Sequence, residues 1–255
     1  MLHPLRLPSG WTGLAFDEID STNSEALRRA AAGERGPLWI TARHQIRGRG
    51  RSGRTWASAG GSLAATLLFA PGCALAALAE LSLVAGVAAH VAIAAELPAD
   101  ARTPVRLKWP NDVLIGGAKV CGILVETSMF GADLVAAIGT GINVAEPPEI
   151  EGRTGTSLAE HGASADVAGV GGSLAIAMAE ALSTWDGGRG FAVIRRAWLD
   201  RAGALGEPMS VHAGGEKVVG LYAGLDHDGG LLIDVGAGER RKFSFGDVAL
   251  GRPRV

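Results

Sequence analysis

The segment from Gly48 to Trp56 constrains the fold of this chain more than any other. It reads Gly-Arg-Gly-Arg-Ser-Gly-Arg-Thr-Trp and lies between two apolar runs, 37–42 and 62–69. Its glycines allow backbone conformations that other residues avoid, and backbone N–H groups in such a loop can bind anionic oxygens. Its arginines add fork-shaped cationic donors that match carboxylate and phosphate groups. We therefore predict a strand-to-strand loop that binds a phosphate-bearing anion.

Familiar nucleotide-binding loops match this segment poorly. The lysine and hydroxyl of the P-loop pattern GxxxxGKS/T are missing. Gly48, Gly50 and Gly53 fit the dinucleotide pattern GxGxxG by letter, but a strand follows them instead of the helix that such a fold requires. An arginine–glycine RNA-binding segment has a similar composition, although such segments usually lie in disordered tails.

Two further segments carry polar groups at strand ends. Lys108-Trp109-Pro110-Asn111-Asp112 precedes a Gly-Gly hairpin turn, and Lys119 begins the returning strand, which ends at Glu126. Lysines are rare in the chain, so two in one hairpin favour a partner for phosphate or carboxylate. Gly139-Thr140-Gly141-Ile142-Asn143 is a third candidate, a strand whose glycines permit close approach of a ligand.

Hydrophobic periodicity predicts an α+β fold with a mixed or antiparallel sheet. Thr22 and Glu25 have the spacing of a capping box at the start of a helix that stops at Gly33. The Ala-rich run 75–97 is long enough to span a bilayer, but its charges and flanking prolines indicate a buried core helix. Predicted strands are 14–19, 37–42, 62–69, 105–109, 113–115, 119–127 and 133–144, and further predicted helices are 167–185 and 191–202.

The chain changes character near residue 203. Short alternating runs separated by Gly and Asp turns follow, at 209–212, 217–222, 231–235 and 241–245. Such runs predict a small β-barrel. We therefore expect two domains, residues 1–203 and 204–255.

Charge and the N-terminal sequence limit the partners and the location. Lys and Arg total 24 against 26 for Asp and Glu, giving a net charge of −2, so the chain has none of the basic excess of a DNA-binding domain. Residues 1–10 lack the apolar core of a signal peptide. We expect a cytoplasmic protein that binds neither DNA nor a membrane.

The motifs together resemble those of the biotin–protein ligase family. Ser21-Thr22-Asn23, Gln45 with Gly48 to Trp56, Lys108 to Asp112, Lys119 to Glu126 and Gly139 to Asn143 occur in the family's order and approximate spacing. The C-terminal runs are similar to the family's SH3-like domain. The resemblance implies a catalytic domain like that of class II aminoacyl-tRNA synthetases, followed by a small SH3-like β-barrel.

The resemblance also implies an activity and roles for single residues. The enzyme would use MgATP to form biotinyl-5′-AMP and would transfer biotin to a lysine of a biotin carboxyl carrier protein. Arg51, Lys119 and Asp112 would be catalytic, and the metal ligands stay undefined. The biotin site would comprise Ser21, Thr22, Asn23, Gln45, Arg49, Gly50, Arg51 and Lys119, and the ATP site would comprise Arg54, Trp56, Asn111 and Asn143.

The chain departs from the family pattern at two loop positions. Arg47 stands where the family usually has a small residue, so its side chain would either alter loop closure or point outward. Ser52 replaces a common basic residue. Repressors of this family carry an N-terminal helix-turn-helix, and only twenty residues precede Ser21, so we expect no DNA binding and a monomer or weak homodimer.

Two other functions fit parts of the sequence. A lipoate or octanoyl-protein ligase would share the fold and the transfer of an acyl group to lysine, but it would lack this combination of arginine loop and Lys-Trp-Pro-Asn-Asp. A non-catalytic binding module, for RNA or for biotin, would have the loop without the reaction. Release of pyrophosphate from ATP upon adding biotin distinguishes the biotin ligase from a non-catalytic module that binds RNA or biotin.

Overall fold

The computed structural model describes residues 6–57, 60–148 and 154–251. Its larger sheet contains strands β1 (Thr12–Ile19), β2 (Leu38–Gln45), β3 (Ser62–Phe69), β4 (Val105–Lys108), β5 (Asp112–Ile115), β6 (Ala118–Phe130) and β7 (Asp133–Asn143). The helices are α1 (Thr22–Ala31), α2 (Leu81–Glu96), α3 (Val167–Trp185) and α4 (Phe191–Leu199). The smaller sheet contains β8 (Pro208–Ala213), β9 (Glu216–Leu225), β10 (Leu231–Gly236), β11 (Glu239–Phe243) and β12 (Asp247–Leu250).

The larger sheet is mixed, as the sequence predicts. Its order is β1-β2-β3-β7-β6-β5-β4, and β1 and β2 pair in parallel while the other described neighbours pair antiparallel. β3 is an apolar run without alternation because both faces of the sheet are covered there. Leu68 and Ile40 pack under α1, whereas Leu67 and Trp39 belong to the core beneath α2 and α3.

Helices α2 and α3 form the main core layer on one face of the sheet. Segments Leu75–Glu96 and Val167–Gly188 are long and apolar enough to cross a membrane by length and composition alone. They instead pack against each other and against the sheet, and ten of the sixteen residues of α2 are buried. The prediction of a buried core helix is confirmed, except that residues 75–80 form a 3-10 helix before α2 begins.

The predicted capping box is wrong. Ser21 is the N-cap of α1, and Thr22 is already helical. The Thr22 hydroxyl instead donates to Gln45 Oε1 at 3.1 Å, and the Glu25 carboxylate pairs with arginines on the next turn of the helix. A tertiary partner on β2 has replaced the local contact that the spacing suggests.

The C-terminal sheet has five strands where the sequence indicates four. The order is β11-β10-β9-β8-β12, and all its pairs are antiparallel. β12 was missed because it has only four residues, of which Val248 alone is buried. The sheet packs on the larger domain, where Trp109 Nε1 donates to the carbonyl of Gly229 at 3.1 Å. One buried apolar cluster contains residues of both regions.

Truncation of Ile138 tests the central position of β7. This side chain is fully buried between β3 and β6, so Ile138→Ala should lower the free energy of unfolding by about 2–5 kcal/mol. Ile176, on α3, is 44% exposed, and Ile176→Ala should change that free energy by less than about 0.5 kcal/mol. Urea unfolding measures both, and equal losses would contradict the assigned core.

Candidate active site

A cavity of about 480 Å³ opens on one face of the larger sheet. The walls of the cavity come from the arginine loop, the first residues of α1, and strands β5, β6, β7 and β12. It brings together every site residue that the sequence predicts except Asn143: Ser21, Thr22, Asn23, Gln45, Arg49, Gly50, Arg51, Arg54, Trp56, Asn111, Asp112 and Lys119.

Glycines on β6 and β7 form the floor of the cavity. A Cβ atom on Gly141 would lie 2.4 Å from the Trp56 ring, and one on Gly139 would lie 2.3 Å from Asn23 Oδ1. These distances are far inside van der Waals contact, so only glycine lets the two side chains lie against the sheet. The Gly-Thr-Gly spacing therefore places Asn23 and Trp56 next to each other along one strand.

Asn23 lies at a polar end of the cavity in a defined orientation. Its Nδ2 donates to the carbonyl of Leu124 at 3.2 Å and to Glu126 Oε2 at 2.8 Å, while Thr66 Oγ1 donates to its Oδ1 at 2.6 Å. Both partners of Nδ2 are acceptors, so the amide cannot be flipped. Asn23 can therefore offer a ligand only the second lone pair of its oxygen.

Gln45 and Arg49 present donors at the same end. The backbone N–H and the hydroxyl of Thr22 both donate to Gln45 Oε1, at 2.9 Å and 3.1 Å, whereas the Gln45 amide nitrogen makes no hydrogen bond to any described residue. Arg49 Nη2 donates to both oxygens of Glu126, at 3.0 Å and 2.9 Å. The other Arg49 nitrogens make no hydrogen bond within the described residues and can donate to a ligand.

A cationic cluster occupies the other end of the cavity. The buried carboxylate of Asp112 pairs with Lys119 Nζ at 2.5 Å and with Lys108 Nζ at 2.9 Å. Burial acts to raise the pKa of the Asp112 carboxyl, but the two ammonium groups outweigh burial and hold that pKa below its ordinary value of 3.8. Two cations share one anion, so the cluster keeps a positive charge. Lys119 Nζ also lies 5.7 Å from the centre of the Trp56 ring.

The arginine loop is closed by its own backbone. Trp56 N–H donates to the carbonyl of Gly48 at 3.0 Å, and Gly50 N–H donates to that of Arg54 at 2.7 Å. At the tip, Ser52 and Gly53 have positive φ angles of 55° and 71°. The loop is therefore a narrow turn with two paired arms, residues 48–50 and residues 54–56.

Two loop arginines contact the C-terminal domain. Arg51 donates from Nη1 to Asn111 Oδ1 and from Nη2 to the carbonyl of Gly246, both at 3.1 Å. Burial lowers the pKa of the Arg51 guanidinium. Arg54 Nη2 donates to Asp247 Oδ1 at 2.7 Å. The C-terminal domain thus forms part of the cavity wall.

Two residues that the sequence singles out, Asn143 and Arg47, do not line the cavity. Asn143 lies outside the cavity: it is buried, and its Nδ2 donates to the carbonyl of Thr156 at 2.9 Å and to that of Lys119 at 3.4 Å. It thus contacts the backbone of Lys119. Arg47 is exposed, and it does not line the cavity.

Sequence reasoning missed several residues of the site. Thr66, Glu126 and Asp247 carry polar contacts in or beside the cavity. Thr66 interrupts the apolar run of β3, and Glu126 directly follows the apolar run 123–125 within β6, so the sequence carries a signal at both positions. Asp247 gave none, because its position depends on how the C-terminal domain packs.

Removing the Asp112 carboxylate should change how stability depends on pH. Its pKa in the folded state lies below 3.8, so its contribution is complete above that pH and is lost as pH falls through the folded value. Asp112→Asn should therefore cost on the order of 2 kcal/mol of unfolding free energy at pH 7 and progressively less below pH 4. Denaturant unfolding from pH 7 to 3 measures this. A constant difference across the range would contradict it.

Comparisons with known proteins agree with this architecture. Residues 15–143 match the model of the "Biotin/lipoate A/B protein ligase family", and residues 204–251 match that of the "Biotin protein ligase C terminal domain". The α+β fold with an SH3-like C-terminal domain is thus confirmed.

Individual relatives cover most of the chain. A Paracoccus denitrificans protein named biotin--[acetyl-CoA-carboxylase] ligase is 39% identical over 87% of this chain and 93% of its own length. A Mycobacterium tuberculosis protein of the same name is 34% identical over 94% of this chain and 90% of its own length. A structure of Aquifex aeolicus biotin protein ligase with biotin and ATP has a TM-score of 0.76 at 28% identity and covers 94% of this chain and 99% of that one. The chain belongs to the biotin/lipoate A/B protein ligase family.

Proposed function

We propose that this chain is an ATP-dependent biotin–protein ligase. It forms biotinyl-5′-AMP from biotin and ATP, and then transfers biotin to a lysine of a biotin carboxyl carrier protein. The observation that carries the proposal is one cavity with a hydrogen-bonding end and a cationic end, separated by a glycine floor. Biotin has a ureido ring at one end and a carboxylate at the other, so it matches both ends in one orientation.

The polar end favours biotin over a lipoyl or octanoyl group. A ureido ring has N–H donors, which can pair with the Asn23 oxygen, and a carbonyl acceptor, which can accept from the nitrogens of Gln45 and Arg49. A dithiolane ring or an alkyl chain would leave these groups without partners, at a cost of about 1–3 kcal/mol for each buried one. Ser21 and Thr22 complete this end.

The cationic end suits the reacting carboxylate and the α-phosphate. A carboxylate oxygen of biotin attacks the α-phosphorus, the bond from phosphorus to the bridging oxygen breaks, and pyrophosphate leaves. Lys119 and Arg51 stabilise the charge that develops on the phosphate oxygens. In the second step the acceptor amine attacks the acyl carbon and AMP leaves. Gly50 lets the loop approach the adenylate, and Arg54, Trp56 and Asn111 form the nucleotide side.

Asp112 acts by holding the lysines. Its lowered pKa keeps the carboxylate ionised at neutral pH and makes it a weak proton acceptor, so it is a poor general base. Its two short ion pairs fix the ammonium groups of Lys108 and Lys119 beside the reaction. Asn143 acts through the Lys119 backbone, in place of the direct nucleotide contact that the family resemblance implies.

Magnesium would arrive with ATP. Within residues 6–57, 60–148 and 154–251 there is no cluster of three or more His, Cys, Asp or Glu that could hold a metal ion. The described residues do not fit a dedicated metal site, and Mg²⁺ commonly binds through substrate phosphates. The substrates are therefore MgATP and biotin.

The proposal extends to the acceptor and to the cellular setting. The named substrate of the relatives is acetyl-CoA carboxylase, so the acceptor would be its biotin carboxyl carrier domain. The proposal includes a cytoplasmic enzyme that acts as a monomer or weak homodimer, without DNA or membrane.

Replacing Lys119 tests the chemical step. Lys119→Ala should lower the rate of biotin-dependent pyrophosphate release by roughly 10²–10³-fold, because it removes a donor to the developing charge. Lys217→Ala, at an exposed position on β9, is the matched control and should leave the rate unchanged. Near-normal release by Lys119→Ala would remove this residue from the mechanism.

A direct assay tests the function itself. The protein, MgATP, biotin and a carrier domain are incubated, and the carrier is weighed by mass spectrometry. The expected result is a gain of one biotinyl group, with no gain when lipoate or octanoate replaces biotin. Modification by lipoate instead would establish the related ligase, and biotin binding without pyrophosphate release would establish a non-catalytic module.

A further inference from the structure

We propose that Glu126 is a positioning residue that sets the affinity for the ureido ring by holding Arg49 and Asn23. The inference rests on the proposed function. Glu126 lies on β6, opposite Ala137 on β7, at the polar end of the cavity. Its side chain is 28% exposed and faces two of the predicted biotin residues.

The contacts of Glu126 join the loop to the sheet. Oε2 accepts from Asn23 Nδ2 at 2.8 Å and from Arg49 Nη2 at 2.9 Å, and Oε1 accepts from the same Arg49 nitrogen at 3.0 Å. Arg51, at the tip of the loop, and Arg54, on the other arm, contact the C-terminal domain. The ion pair between Arg49 and Glu126 therefore attaches the first arm of the loop to the sheet.

The ion pair with Glu126 determines which Arg49 nitrogens can donate a hydrogen bond to a ligand. With Nη2 bound to Glu126, the guanidinium is held with its remaining N–H groups available to a ligand in the cavity, which Gln45 also lines. Without the carboxylate, a side chain that is 44% exposed would turn to solvent and regain its rotamer freedom. The same loss would remove one of the two acceptors of Asn23 Nδ2 and leave the Leu124 carbonyl as the other, so the Asn23 oxygen would be held less firmly towards a ureido N–H.

A purely structural role predicts something different. Partly exposed ion pairs contribute about 0–1 kcal/mol to folding, and such a contribution affects binding and turnover alike. A positioning role acts on the biotin-bound groups at the polar end, while the reacting atoms at the cationic end keep their partners. It should therefore alter KM for biotin and leave kcat nearly unchanged.

The experiment compares Glu126→Gln, Arg49→Gln and the double variant in the unaltered full-length background, measuring pyrophosphate release against biotin concentration. Glu126→Gln should raise KM for biotin roughly tenfold with kcat within about twofold. Because Glu126 acts largely through Arg49, the double variant should be little worse than Arg49→Gln alone.

Glu207→Gln is the matched control. It breaks the Arg106–Glu207 pair, which has the same 2.9 Å distance and similar exposure but lies outside the cavity. Its KM should equal that of the unaltered protein. Should Glu126→Gln fail to fold, Glu126→Asp, which keeps the charge on a shorter side chain, should show a smaller rise in KM.

Three results would overturn the proposal: an unchanged KM, a fall in kcat alone, or fully additive effects in the double variant. Failure of the proposed function is distinct, since the unaltered protein would then release no pyrophosphate when biotin is added, and both proposals would fall together.

Discussion

The bare surface of β6 and β7 is the constraint on which the site depends. On one face of a β-sheet, every second residue of a strand normally presents a side chain, and these side chains would fill the space above that face. Here Gly122, Gly139 and Gly141 remove those side chains in one patch, and Asn23 and Trp56 lie where Cβ atoms would be. The cavity is thus a property of strands in the middle of the sheet, held by the core on the opposite face.

The same glycines separate the hydrogen-bonding end of the cavity from its cationic end. At Gly139 the groups above the sheet are neutral donors and acceptors, together with one ion pair. At Gly122 they are an aromatic ring and the Lys119 ammonium, which is connected to Asp112 and Lys108. A ligand with a polar head and an anionic tail is therefore aligned by the spacing of glycines on neighbouring strands, before any loop contacts it.

The sequence predicts most of this arrangement because the signals are local. Alternation and apolar runs locate the strands of the larger sheet, and the arginine loop and the lysine hairpin contain their own chemistry. Failures arise where tertiary contacts decide. Thr22 has the spacing of a cap but bonds to Gln45 on β2. Asn143 has a polar side chain on a cavity strand, but it is buried and donates to the carbonyls of Thr156 and Lys119. Asp247 enters the site from the packing of a separate sheet, which no local pattern encodes.

Most cations of the site already have a carboxylate partner in the protein, whereas Arg51 donates to the neutral oxygens of Asn111 and Gly246. Lys119 pairs with Asp112, Arg49 with Glu126 and Arg54 with Asp247. An incoming anion at Lys119 or Arg54 therefore exchanges one charge-assisted contact for another, and the net gain on binding is modest. Because Asp112 serves two ammonium groups, the gain grows when further negative charge develops on the phosphate during the reaction. Stronger interaction with the transition state than with the ground state is what accelerates a chemical step. The paired cations thus favour turnover over tight binding of the substrate.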